Sequence, residues 1–112
     1  MNLQQVCLTA LAFSSARGGA VEFTATPGLR PVVIHPVSER NQTEIYVERD
    51  IQDTDSWLVG LRETKPLALR PPLYFPPAVN TQEALLDALT KAWESTLYKP
   101  PPPNFLSRFT EA

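Results

Sequence analysis

A chain of 112 residues, 43% of them hydrophobic, can bury one core and hardly two, so one domain is expected over residues 1–99, with residues 100–112 as a proline-rich extended tail. A formal charge of −2 and a pI of ≈ 5.3 supply no general attraction to phosphate backbones or anionic membranes, which argues against nucleic acid and membrane surfaces as partners. One cysteine, Cys7, excludes an internal disulfide framework and a cysteine-ligated zinc cluster, and points to a reducing cytosol and a cytoplasmic protein.

Residues 3–16 read as a first helix, with Leu3, Val6, Cys7, Ala10 and Leu11 on one side and Gly18-Gly19 ending it. From Met1 to Ala16 no side chain is ionised, and Gln5, Thr9, Ala12 and Ala16 form a small, weakly polar back. Such a helix can be covered on both sides, which makes it a candidate partner surface. Val6 to Phe13 followed by Ser14-Ser15-Ala16 has some likeness to a secretion signal, but no Lys or Arg precedes the short apolar run, so it is read as part of the fold. No segment reaches the ~20 apolar residues of a membrane span.

Residues 20–26 alternate, with Val21, Phe23 and Ala25 opposite Glu22, Thr24 and Thr26, the pattern of a half-buried strand. Pro27-Gly28 turns the chain into Val32-Val33-Ile34, a short strand bracketed by Pro31 and Pro36. Residues 38–42 read as a hairpin tip, and residues 43–49 form a third strand with Ile45 and Val47 inward, antiparallel to the second. After an acidic loop at 50–55, residues 56–62 place Trp57, Val59 and Leu61 on one face and Leu58 and Arg62 on the other. Residues 64–77 hold Leu67, Leu69, Leu73, Tyr74 and Phe75 between prolines, an irregular edge segment crossing to the last helix.

That helix starts at Asn80, whose spacing to Glu83 is that of a capping box, and carries Leu85, Leu86, Leu89, Ala92, Trp93 and Leu97 within one arc. Asp87 and Lys91 form an i,i+4 pair opposite it. Pro100 to Pro103 forbid continuation and suit a polyproline II rod of roughly 12 Å, which delivers Phe105, Leu106 and Phe109. The whole reads as an α+β fold: an N-terminal helix, an antiparallel sheet of three to five strands, a C-terminal helix packed on one face and an extended proline-rich C-terminal arm.

Chemistry is thin. Between Glu39 and Asp55 six carboxylates face Arg40 and Arg49, a local charge of −4 that suits docking to a basic partner. Asp50, Asp53 and Asp55 lack the glycine and distal glutamate of an EF-hand, so no metal is expected. His35 has no nucleophile or orienting carboxylate in a short motif around it, and Cys7 has no neighbouring cation to activate it. No cofactor and no catalytic residue is expected. The leading expectation is a small non-enzymatic interaction protein of the inhibitor, immunity, adaptor or assembly-subunit kind, self-associating or binding another protein. Its expected contact residues are Glu44, Glu48, Asp50, Asp53 and Asp55 on the acidic edge and Phe105, Leu106 and Phe109 on the arm. A virion or other structural subunit fits the same features. The alternative from another class is an enzyme or small-ligand binder with a pocket between the sheet and residues 64–77, around Trp57, Tyr74 and Phe75.

Overall fold

The computed structural model describes residues 1–24, 30–36, 43–63 and 72–97. Seven elements follow in order: helix α1 (Leu3–Ala16), strands β1 (Ala20–Phe23), β2 (Val32–His35), β3 (Thr43–Arg49), β4 (Trp57–Glu63) and β5 (Leu73–Tyr74), and helix α2 (Gln82–Leu97). The strands form one antiparallel sheet in the order β1-β2-β3-β4-β5, each pairing with the next in sequence. The chain therefore adopts the expected α+β architecture. The proline-rich arm, the hairpin tip at 38–42, residues 25 and 26 of the first expected strand and residues 64–71 of the edge segment lie outside the described residues.

Register converts the strand alternation into two distinct faces. Val21, Ile34, Ile45 and Leu61 stand opposite one another in one row, and Phe23, Val32, Val47 and Val59 in the next. From Ile34 to Leu61 and from Val32 to Val59 these residues are buried under the helices, in a core shared with Val6, Ala10, Phe13, Leu85, Leu89 and Ala92. The two helices run the same way. The Met1 carbonyl, ahead of α1, accepts from Trp57 Nε1 at 2.9 Å, and Val79, ahead of α2, pairs with the Trp57 backbone through two bonds of 2.7 Å. Toward their other ends the Phe13 and Trp93 rings meet edge to face at 5.8 Å.

Local chemistry sets the helix boundaries. Asn2 caps α1 in a reciprocal box, accepting from the Gln5 amide at 2.8 Å while its own amide donates to Gln5 Oε1 at 2.9 Å. The other end closes in a Schellman motif: the Gly19 and Gly18 amides return to the Ser14 and Ser15 carbonyls, and Gly18 takes the positive φ of 74° that the motif demands. At the start of α2 the cap is Thr81 rather than the expected Asn80. The Ala84 amide donates to Thr81 Oγ1 at 3.2 Å, so Glu83 falls one position short of a capping box. Asp87 and Lys91 do pair, at 3.1 Å.

The buried face of α1 differs from the expected one. Val6, Thr9, Ala10, Phe13 and Ser14 point inward, whereas Leu3 and Leu11 are 43% and 42% exposed. Two constraints select this rotation. Phe13 has more apolar surface to bury than either leucine and packs on Trp93, and the small Thr9, Ala10 and Ser14 allow the close approach that leucines would block. Among the described residues no helix is long and apolar enough to cross a membrane.

Candidate functional site

The face of the sheet turned away from the helices is built around Tyr46. Alternation along β3 puts Glu44, Tyr46 and Glu48 there, and register adds Gly60 and Tyr74 beside Tyr46 and Arg62 beside Glu44. The tyrosine ring lies flat across Gly60, where an added Cβ would stand 2.5 Å from Tyr46 Cζ, so the strand can pass beneath the ring only as glycine. The Arg30 guanidinium covers the ring's outer side at 4.1 Å, and Tyr74 meets its edge at 6.0 Å. Tyr46 is fully buried as a result. Burial pushes its phenol well above the ordinary tyrosine range; the adjacent Tyr74 phenol adds to this, and the Arg30 charge opposes it.

The carboxylates expected on an acidic edge divide into two groups. Glu48 accepts from Arg30 Nε at 3.0 Å, and Glu44, its side chain only 8% exposed, is held by Arg62 Nε and Nη2. His35 sits between Glu22 and Glu44, with Nε2 3.3 Å from one carboxylate and Nδ1 3.9 Å from the other. Both β3 glutamates are thus committed within the chain. Asp50, Asp53 and Asp55 belong instead to the β3–β4 loop, which they shape. Asp50 accepts the Gln52 amide, Asp53 accepts the Ser56 hydroxyl at 2.8 Å and the Asp55 amide at 3.1 Å, and the Asp55 carbonyl faces the Met1 amine at 3.3 Å. The Ser56 bond, then the Asp55 amide, hold the Asp53 carboxyl below its ordinary range. Phe105, Leu106 and Phe109 lie outside the described residues.

The aromatic trio proposed for a pocket is not brought together. Trp57 is fully buried under the helices, with Arg49 stacked on it at 4.2 Å, while Tyr74 belongs to the opposite face. Phase matters here, since successive residues of a strand point to opposite sides. Phe75 does line a cleft of ≈ 200 Å³ with Pro76, Val79, Ala84, Ala88 and Lys91. That volume is below the several hundred Å³ in which small-molecule ligands are usually enclosed. Among the described residues no group of three or more His, Cys, Asp and Glu could hold a metal ion.

A surface that sequence reasoning only half identified runs along α1 and β1. Leu3, Leu8, Leu11 and Phe23 are 43%, 59%, 42% and 46% exposed, on a helix without an ionised side chain and on the strand that ends the sheet. The lack of charge was visible in the sequence; that the leucines themselves turn outward was not. The other edge of the sheet is finished differently. Residues 73–79 run along β4, with Leu73 opposite Leu61, the Phe75 amide on the Val59 carbonyl and Val79 on Trp57.

No protein-family model, curated protein or solved structure matches the chain.

Proposed function

We propose that the chain is a small protein-interaction module and not a catalyst, acting in a reducing compartment such as the cytoplasm. The carrying observation is the apolar ledge of exposed Leu3, Leu8, Leu11 and Phe23 beside β1, which among the described residues pairs on one side only, with β2. Exposed apolar groups near a strand edge attract an extended segment of protein, which gains main-chain hydrogen bonds and side-chain burial together. The polar residues favour the same reading. Glu44 and Glu48 are neutralised by Arg62 and Arg30, and the Tyr46 hydroxyl is sealed away from any substrate. Acidic contact with a basic partner then falls to Asp50, Asp53 and Asp55 on the β3–β4 loop.

Copurification of the full chain from its native host tests this. A stoichiometric protein partner is expected with the natural chain and with Asp87→Asn on the far helix. It is expected to be lost with Leu11→Lys combined with Phe23→Lys, at an unchanged melting curve. A partner retained by the double lysine variant would remove the ledge from the interaction.

A further inference from the structure

Helix α1 carries a second stripe, turned away from the one it buries. At ~100° per residue, Gln4, Leu8, Leu11 and Ser15 fall within an arc of ~60°, on the side opposite the mean direction of Val6, Thr9, Ala10 and Phe13. All four are exposed. They follow one another at intervals of four, three and four residues, the spacing of successive d and a positions of a heptad, along which two helices interlock.

The order of the side chains along this stripe is the same from either end: polar, leucine, leucine, polar. Turned end for end, it therefore matches itself. A two-fold axis passing midway between Leu8 and Leu11 sets Leu8 against Leu11 of a second copy and Gln4 against Ser15, and each contact occurs twice, as a two-fold interface requires. Leucine meets leucine and polar end meets polar end.

We propose that the outward stripe of α1 is a self-association surface, on which the α1 helices of two copies pack antiparallel. The proposal rests on reading the ledge as a protein-binding surface, and it assigns the Leu8–Leu11 part of that ledge to a second copy of this chain. Three observations select this occupant. The first is the self-complementary order just described, which an unrelated partner would have no reason to meet. The second is charge. No side chain from Met1 to Ala16 is ionised, so two copies approach without burying or opposing charges on this helix, and the face offers a charged partner nothing to pair with. Antiparallel packing also sets the two helix dipoles in opposition, the favourable sense.

The third is size. A helix of 14 residues is about 21 Å long, and one such contact is smaller than the ~800 Å² per partner of a standard stable interface. The association is accordingly reversible. A chain whose folded core is complete without this contact, with Val6, Ala10 and Phe13 already buried, exchanges between one copy and two as concentration changes.

Sedimentation velocity on the full chain from about 10 μM to about 1 mM tests the proposal. The apparent mass is expected to rise with concentration from 12.5 kDa toward that of two chains. Leu8→Lys combined with Leu11→Lys places four like charges on the seam and is expected to weaken association tenfold or more, at an unchanged urea midpoint measured at low micromolar protein. Gln4→Glu combined with Ser15→Lys tests the orientation, because only antiparallel packing brings residue 4 of one copy beside residue 15 of the other. That pair of changes is expected to tighten association about twofold or more, with the gain removed by high salt, and Gln4→Glu alone is expected to give no such gain. A single mass of one chain up to about 1 mM would overturn the proposal, as would a dimer unaffected by the double lysine variant or a Gln4→Glu, Ser15→Lys variant that associates no more tightly than the natural chain. Copurification reads a different event. A chain that stays single in the centrifuge and still captures another protein through the ledge would remove this inference and leave the proposed function standing.

Discussion

The β3–β4 half of the sheet and the α1–β1 flank are made from similar residues and finished in opposite ways. Around β3 and β4 both faces are closed: Ile45, Val47, Trp57 and Val59 under the helices, and Tyr46 pressed between Gly60 and Arg30 on the other side. Each formal charge near Tyr46 has an intrachain partner, Arg30 with Glu48 and Arg62 with Glu44. Along α1 and β1, three leucines and a phenylalanine stay in water beside a strand edge. The difference separates what holds the fold together from surface that the described fold does not use.

Substitutions at the Tyr46 stack should strain that contrast most. Tyr46→Ala removes a fully buried ring, and truncations of this size cost about 3–5 kcal/mol. Gly60→Ala forces the ring off its seat against Arg30, an overpacking cost of about 1–3 kcal/mol. Leu8→Lys on the flank should stay within about 0.5 kcal/mol. Urea denaturation midpoints at constant slope order the three, and a Gly60→Ala midpoint equal to the natural one would show that the ring is not seated as described.

Much of the fold was legible because it follows from period alone. Alternation at residues 43–49 and 56–62 marked two central strands, and the leucines and Trp93 of the last helix marked its inward arc. The rotation of α1 was not legible, because hydrophobicity ranks Leu3 and Leu11 above Thr9 and Ser14, whereas packing against α2 ranks fit above hydrophobicity. The Asn80 cap failed by one residue for a related reason: Asn80 and Thr81 are both good caps, and only the turn after Val79 decides between them. The Tyr46 stack depends on cross-strand register. The alternation that put Ile45 and Val47 inward also put Glu44, Tyr46 and Glu48 outward, but their partners come from Arg30, Gly60, Arg62 and Tyr74, which only the pairing brings together.

A smaller effect is expected from the ion pair at the rim of the stack. Arg62→Ala leaves the Glu44 carboxylate largely buried with His35, at 3.9 Å, as its nearest cationizable neighbour. Removing one partner of a fully buried pair costs ~3–5 kcal/mol, and the 40% exposure of the Arg62 side chain scales this to about 1–2 kcal/mol. Glu44→Gln in the Arg62→Ala background should recover part of the loss. A double-mutant cycle with no coupling would show that the pair is solvated like any surface contact, and would bring the two regions closer in character.

The smallest expected effect concerns the β3–β4 loop, which borders both regions through Asp55 and Met1. The Asp53 carboxyl is held below its ordinary range by the Ser56 hydroxyl and the Asp55 amide. Because the folded state favours the ionised form, it binds fewer protons than the unfolded state across the interval between the two pKa values. The contribution is therefore complete above the ordinary carboxylate range near 3.8 and is lost as pH falls through the lower folded value. Ser56→Ala removes the first of the two bonds and should narrow that interval from below. Melting temperatures of the natural chain and Ser56→Ala should differ slightly at pH 6 and converge toward pH 2, where Asp53 is protonated in both. The same difference at both pH values would assign the Ser56 contribution to the neutral hydroxyl's packing, and the loop would then be held by shape, as the β3–β4 core is, with no part played by its charge.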